Sequence, residues 1–406
     1  MTKKKLLFLV HRLPYPPNKG DKIASFNLLR FLALRYTVYL GTFIDDPNDR
    51  QHREKVRQYC QDLCAPEISP TIARIASLRG LLSGEALSLP YLRNRELYAW
   101  TTQVLHEQRP EHIVIFSGPM AQYVSGRIPD GATTLFDMVD VDSEKWRSYA
   151  ERKPWPMSAL YRREADRLLA FERRMAGEFD STVFVSREEA DLFRSLAPEC
   201  AAKTTYRIQG VDSEFFDPAG TYPNPFPAGA AALVFTGAMD YWPNVDAVGW
   251  FAEQAWPRIR RQVPNARFFI VGMRPAPEVS RLAQQPGITV TGAVADVRPY
   301  LAHAHAAILP LRIARGIQNK VLEAMAMRLP VIGTPEAMTG IAPFAGFAPI
   351  ISERADTLAD AAVRLLQEAR HADNAARACV LERYNWDANL QRIARLLETG
   401  EVEPDL

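Results

Sequence analysis

Residues Ala307–Thr334 read AILPLRIARGIQNKVLEAMAMRLPVIGT. The apolar run Ala306–Leu309 ends at Pro310, and a polar loop with Arg312, Arg315 and Gly316 follows. A helix is expected from Ile317 to Arg328. Pro330 stops it before a second apolar run, Val331–Gly333. Strand, loop, helix, strand is the repeating unit of a parallel sheet, whose neighbouring strands need a crossover. Ligands of such sheets gather at the carboxyl ends of the strands, where this loop falls. A helix start offers unpaired N–H groups that attract anions. Lys320 stands in the first turn, where a cation opposes the helix dipole, and a phosphate between the two would account for it. Glu323 lies three residues on, beside the apolar positions Val321, Leu322 and Met325, where a carboxylate can accept hydrogen bonds from a sugar diol. The plain alternative is an i,i+3 Lys–Glu pair on a solvated helix, worth only about 0.2–0.5 kcal/mol.

Working outward, the same alternation fills the chain. In the first half, strands are expected at Leu6–Val10, Thr37–Thr42, His112–Phe116, Thr134–Asp137 and Thr182–Val185, with helices such as Ile23–Leu34, Asn94–Glu107 and Ser158–Gly177 between them. The segment Asp212–Gly229 holds four prolines and two glycines and reads as a linker. The pattern then restarts with strands at Leu233–Thr236, Arg267–Val271, Ile288–Thr291, Ala306–Leu309, Val331–Gly333 and Pro349–Ile351, and a helix over Val245–Arg261. The expected organisation is a first Rossmann-like domain over residues 1–211, a proline-rich linker over 212–230, a second Rossmann-like domain over 231–384, and a C-terminal helix over 385–406. That helix has an apolar face of Leu390, Ile393, Leu396 and Leu397, and Trp386 anchors its start.

Composition narrows the class. With 406 residues, 47% of them apolar, the chain can bury two sizeable cores. A net charge of +2 argues against a nucleic-acid partner. Four cysteines are too few for a disulfide framework and read as reduced thiols of the cytoplasm. Cys60 and Cys64, spaced i,i+4 on an expected helix, have no further ligands nearby for zinc. The run Leu6–Val10 is too short for a signal-peptide core or a membrane span. The stretch Arg147–Arg174 is basic and interleaved with Trp155, Leu160, Tyr161, Leu168, Leu169 and Phe171. It reads either as a membrane-surface contact or as an amphipathic helix with a solvated face.

Four loops should line one side of the second sheet: Gly237–Asn244, Gly272–Arg274, Gly292–Val297 and Arg312–Lys320. Glycine loops, a helix start, Arg312 and Lys320 suit a diphosphate, and Val294 and Val297 suit a flat base. In the first half, HRLPYPPNKGDKIASF places Gly20 where a dinucleotide fold has its phosphate loop, but GxGxxG is missing, so no nicotinamide or other cofactor is expected. The segment FDMVDVD carries Asp137, Asp140 and Asp142. Its DxD is weak ground for a metal, and none is expected. Asp142 reads as a helix start and Asp140 as a strand-end carboxylate that would face a cleft. The histidines show no ligand spacing, and His303 and His305 read as packing residues.

Gly316, Lys320, Glu323 and Pro330–Thr334, with VFTGAMDYWPNVDAV, ITVTGAVADVRPYLAHA and YNWDANLQRIARLLE, resemble the motifs of retaining glycosyltransferase family four. PPNKGDKIASFNLLRFL and LFDMVDVDSEKW resemble a subgroup, the bacterial exopolysaccharide glycosyltransferases linked to PEP-CTERM/exosortase systems. The resemblance implies an α/β chain of GT-B fold, two doubly wound Rossmann-like domains facing each other across a cleft, with the last helix crossing back to the first. It implies a nucleotide-diphosphate sugar donor, a glycan or polyprenyl-linked acceptor, retention without a metal, and a place at the inner face of the plasma membrane. By the same analogy Gly237, Arg312, Gly316 and Lys320 hold the diphosphate with Gly20, and Glu323 touches the ribose. The family often carries a second glutamate eight positions earlier, where this chain has Arg315. A nucleotide-sugar epimerase of similar fold and a non-catalytic sugar-nucleotide binder are the alternatives.

Overall fold

The computed structural model describes residues 3–17, 19–151, 153–314 and 316–402, so Arg315 lies outside the described residues. The chain divides into two compact units, Met1–Ile208 with Leu390–Leu406, and Gln209–Asn389. Each has its own apolar core.

The first unit is built on strands β1 (Lys5–Val10), β2 (Thr37–Gly41), β3 (Asp62–Cys64), β4 (His112–Phe116), β5 (Thr133–Val139), β6 (Ser181–Phe184) and β7 (Thr204–Tyr206). They pair in parallel in the order β3-β2-β1-β4-β5-β6-β7. The second unit carries β8 (Ala231–Thr236), β9 (Ala266–Val271), β10 (Ile288–Gly292), β11 (Ala306–Leu309), β12 (Val331–Gly333) and β13 (Ile350–Ile351). These are also parallel, in the order β10-β9-β8-β11-β12-β13. Both sheets grow outward on one side of their first strand and then cross to the other. The switch points therefore fall between β1 and β4, and between β8 and β11, where doubly wound sheets open a crevice for ligands. Leu6–Val10 and Leu233–Thr236 are buried along their length, as central parallel strands covered on both faces must be.

Two sequence expectations are corrected, and two further stretches take a definite place. Cys64 lies in β3 and Cys60 in the turn before it, so the two thiols share no helix. The helix expected over Val245–Arg261 is two helices, Trp242–Gln254 and Trp256–Gln262. Pro257 explains the break, because it cannot donate to the preceding turn. The proline-rich stretch Asp212–Gly229 is packed on the second unit. Phe216 and Phe226 enter its core, and Arg377 donates to the carbonyls of Phe216 and Ser213. In the basic stretch after Arg147, Leu168 and Phe171 are buried in the first core. Arg147 is bonded to Glu144 and Asp166, and Arg173 to Glu199. The helix Met157–Glu178 is thus amphipathic, with its apolar face in the core and Asp166 and Arg173 ion-paired on its outer face.

The helix Trp386–Thr399 buries Leu390, Ile393, Leu396 and Leu397. Its first residue, Trp386, lies flat against Gly210, where an added Cβ would come within 2.7 Å of the indole. Among the described residues, no helix is long and apolar enough to cross a membrane.

Candidate functional site

In the second unit the strand-end loops are bound together by backbone. Gly237 N–H donates to Val271, Met239 N–H to Met273, and Gly272 N–H to Gly292, at 3.0, 2.9 and 3.2 Å. A Cβ on Gly272 would stand 1.6 Å from the Gly237 carbonyl oxygen, so only glycine fits there. On the other side of β8, Thr334 after β12 donates its hydroxyl to the Leu311 carbonyl. The loops after β8, β9, β10, β11 and β12 thus form one connected rim at the switch point.

Lys320 rises into this rim from the first turn of the helix Asn319–Ala326. Its ammonium donates to Asn244 Oδ1 at 2.5 Å and sits 4.6 Å from the centre of the Phe235 ring. Asn244 is fixed in turn by its amide, which donates to the Ala238 carbonyl at 2.9 Å. A Cβ on Gly237 would press on Asn244 at 2.7 Å and on the Lys320 Nζ at 3.3 Å. The glycine therefore leaves the space through which Lys320 reaches the loop. Gln318, just before the helix, provides no side-chain cap, and its carbonyl accepts from Val321 N–H at 2.9 Å.

Glu323 lies on the same face, but its side chain forms no ion pair or hydrogen bond among the described residues. The i,i+3 pairing with Lys320 is not made. Both residues are half-buried. Burial pushes the Lys320 ammonium down to about 8, against the pull of the Glu323 charge. Burial likewise pushes the Glu323 carboxyl up to about 7, against the pull of Lys320. An ammonium tied to a neutral amide and an unengaged carboxylate, side by side at a helix start, can hold an anion and a hydroxyl donor.

The other expected residues fall as follows. Gly316 is buried with φ of +60°, and its carbonyl accepts from Gln318 Nε2 at 3.1 Å. Val294 and Val297 lie in the loop after β10, half-buried against the second core. Arg312 is in the rim, but its guanidinium is taken by Asp246 through Nε and Nη2. His303 bonds the Tyr222 carbonyl at 2.8 Å, and His305 Nδ1 accepts from Ala232 N–H at 3.2 Å.

In the first unit, Gly20 opens the helix Gly20–Arg35. Beside it, Asp21 receives His11 Nε2 at 3.1 Å and Arg12 at 2.9 Å, and Arg12 also faces Asp45 at 3.2 Å. Burial works to raise the Asp21 carboxyl, but the bonds and charges of His11 and Arg12 outweigh it and hold it well below the usual carboxylate range. Asp140 follows β5 on a turn in which Val139 has φ of +72°, a conformation costly for a β-branched residue. Its carboxylate accepts from Lys145 at 2.7 Å, and Asp142 accepts from the same ammonium at 2.9 Å. The two acids raise Lys145 well above its ordinary value although burial opposes this. Asp137 is buried against Arg207 at 2.6 Å and serves the core. Asp142 opens the helix Asp142–Glu151, but carboxylates from elsewhere meet the backbone at this helix start. Glu189 accepts from Val141 N–H at 2.8 Å, and Glu172 from Ser143 N–H at 3.2 Å. Among the described residues, no group of three or more His, Cys, Asp or Glu side chains could hold a metal ion. Sequence reasoning missed Asn244, Asp246, His11, Arg12 and Asp21. The only signal for Asn244 was its place in the loop GAMDYWPN.

Residues 230–368 match the family model described as glycosyl transferases group 1. No curated protein is significantly similar to the chain. Among solved structures, HepE of Anabaena in complex with UDP and glucose superposes with a TM-score of 0.66 at 15% identity, over 98% of this chain and 100% of that one. Sucrose-phosphate synthase from Thermosynechococcus elongatus gives 0.69 at 16% identity, over 98% of each chain. A TarM mutant from S. aureus, in complex with fondaparinux, alpha-GlcNAc-glycerol and UDP, gives 0.65 at 10% identity, over 98% and 100%. At such identities the likeness speaks for the fold, which is GT-B with two Rossmann-like parallel-sheet domains. The matched segment makes the second unit a glycosyltransferase group 1 domain, and the chain a glycosyltransferase.

Proposed function

We propose that this enzyme moves a sugar from a nucleoside-diphosphate sugar to a glycan or polyprenyl-linked acceptor, with retention of anomeric configuration and without a metal. The reaction would serve exopolysaccharide assembly at the inner face of the plasma membrane. The observation that carries the reading is the Lys320 ammonium, held by Asn244 beside the Gly237 loop, with the unengaged Glu323 carboxylate next to it. The diphosphate is received by Lys320 and the first-turn N–H groups of its helix, where the leaving charge develops. Glu323 accepts the ribose hydroxyls, and Val294 and Val297 flank the base. The UDP bound to HepE and TarM supports a uridine donor. Asp140, held by Lys145, is the first unit's carboxylate for the reacting sugar or the acceptor hydroxyl, with Gly20 near the diphosphate. The exopolysaccharide setting rests on the sequence resemblance of the first half.

Thermal stabilisation by a panel of nucleoside diphosphates tests the donor, since a ligand that binds only the folded state raises its melting temperature. Stabilisation by UDP and turnover of a UDP-sugar in the presence of chelator, with the anomer read by NMR, is the expected result. Inverted product, or activity that chelator abolishes, would overturn the retaining, metal-independent reading.

A further inference from the structure

The segment 69–83 of the first unit turns its chemistry outward. It forms the short helices Pro70–Ser77 and Arg79–Ser83, joined through Leu78. Its inward residues are small, Ala73 and Gly80. Its large apolar residues point to solvent: Ile72 is 69% exposed, Ile75 67%, Leu78 54% and Leu82 93%. An ordinary surface helix has the opposite polarity. The segment is nonetheless firmly placed. Arg163 donates to the carbonyls of Gly80 and Glu85, and Glu164 accepts from the N–H groups of Leu87 and Ser88. Folding thus fixes an apolar ridge in the open, and an exposed ridge of this kind marks a docking surface.

We propose that this ridge docks the enzyme on an anionic lipid bilayer. The charge pattern selects that occupant. Arg74 and Arg79 lie on the segment, and no acidic residue occurs between Glu67 and Glu85. Apolar side chains flanked by arginines insert at the headgroup boundary of anionic lipid. Trp155, 81% exposed, stands just before the helix whose Arg163 holds the segment, and tryptophan favours the membrane–water interface. The basic helix Met157–Glu178 is not itself the contact, because its apolar face is in the core. The proposal borrows its purpose from the membrane-borne acceptor proposed above, but its binding test does not depend on sugar transfer.

The test is co-sedimentation of the full chain with phosphatidylglycerol–phosphatidylcholine vesicles and with pure phosphatidylcholine vesicles, at low and physiological salt. Wild type is expected to pellet with the anionic vesicles, most strongly at low salt. Leu78→Glu with Leu82→Glu should abolish binding, and Arg74→Gln with Arg79→Gln should weaken it about 30-fold, each basic residue near such a surface being worth about a factor of five. Arg162→Gln with Arg167→Gln should leave it unchanged. All variants should keep the wild-type melting temperature and UDP affinity, which separates this proposal from the nucleotide site. Absence of binding at low salt would overturn it, as would full binding by the Leu78/Leu82 variant. So would a dimer in sedimentation velocity that this variant dissolves, without vesicle binding by wild type, because the ridge would then serve a second copy.

Discussion

Lys320→Met keeps an unbranched apolar stem over the Phe235 ring and removes only the ammonium. The loss is a charge-assisted bond to phosphate, on the order of 1.5–3 kcal/mol, so the Kd for UDP should rise about 10- to 150-fold. The free protein should not lose stability in proportion. Burial already holds the ammonium down to about 8, so its charged form is disfavoured in the fold. The same displacement gives a pH signature. Bound diphosphate favours protonated Lys320, so the contribution of Lys320 to affinity should be complete below pH 8 and fall as pH rises through that value, approaching tenfold per unit until the bound-state pKa is reached. For stability the sign is opposite. The unfolded lysine, near 10.5, binds more protons between pH 8 and 10.5 than the folded one, so this group makes the free protein more stable as pH rises across that window. Isothermal titration with UDP at a series of pH values, on wild type and Lys320→Met, measures both effects. Wild-type affinity in the variant, or a wild-type affinity that does not fall above pH 8, would refute the assignment of the diphosphate to Lys320.

Glu323→Gln should weaken UDP binding about fivefold to tenfold by calorimetry, as expected for a lost carboxylate–hydroxyl bond, while raising the melting temperature at neutral pH because a disfavoured buried charge is removed. Arg312→Ala should change UDP affinity less than about threefold, because Asp246 already neutralises the guanidinium. Asp140→Asn should leave UDP binding near wild type and slow transfer by about 10²-fold or more in a turnover assay with chelator present.

Parts of this molecule were legible in its sequence for clear physical reasons. β4, β11 and β12 have the ends expected of them because each is a mostly apolar run closed by a polar residue or a proline. Lys320 and Glu323 stood out because a cation in a first turn and a carboxylate among apolar neighbours both break local rules. What was missed depends on long-range pairing. β3 and β7 are three-residue strands whose own residues carry too little pattern to mark them, and pairing with β2 and β6 makes them strands. Asn244 meets Lys320 from 76 residues away, and Asp246 meets Arg312 from 66. No spacing rule reaches that far. The ridge at Ile72–Leu82 was invisible for the opposite reason, since an amphipathic pattern does not tell which face the fold will bury.

The charge pairing at the second unit's strand ends favours Lys320 as the cation of the proposed diphosphate site. Arg274 is paired with Asp240 at 3.0 Å, Arg298 with Asp296 at 2.8 Å, and Arg312 with Asp246. An anion approaching any of these must compete with a carboxylate already in place. Among the described residues of the rim, Lys320 has no carboxylate within ion-pair distance and is bonded to the neutral Asn244 amide. Burial, only partly offset by the Glu323 charge, is what lowers its proton affinity, and the same condition lets an arriving phosphate interact strongly in a poorly solvated place. The arginines shape and stiffen the loops, while the lysine retains its charge for the ligand. Asn244 keeps it oriented without neutralising it, which an aspartate at that position would do.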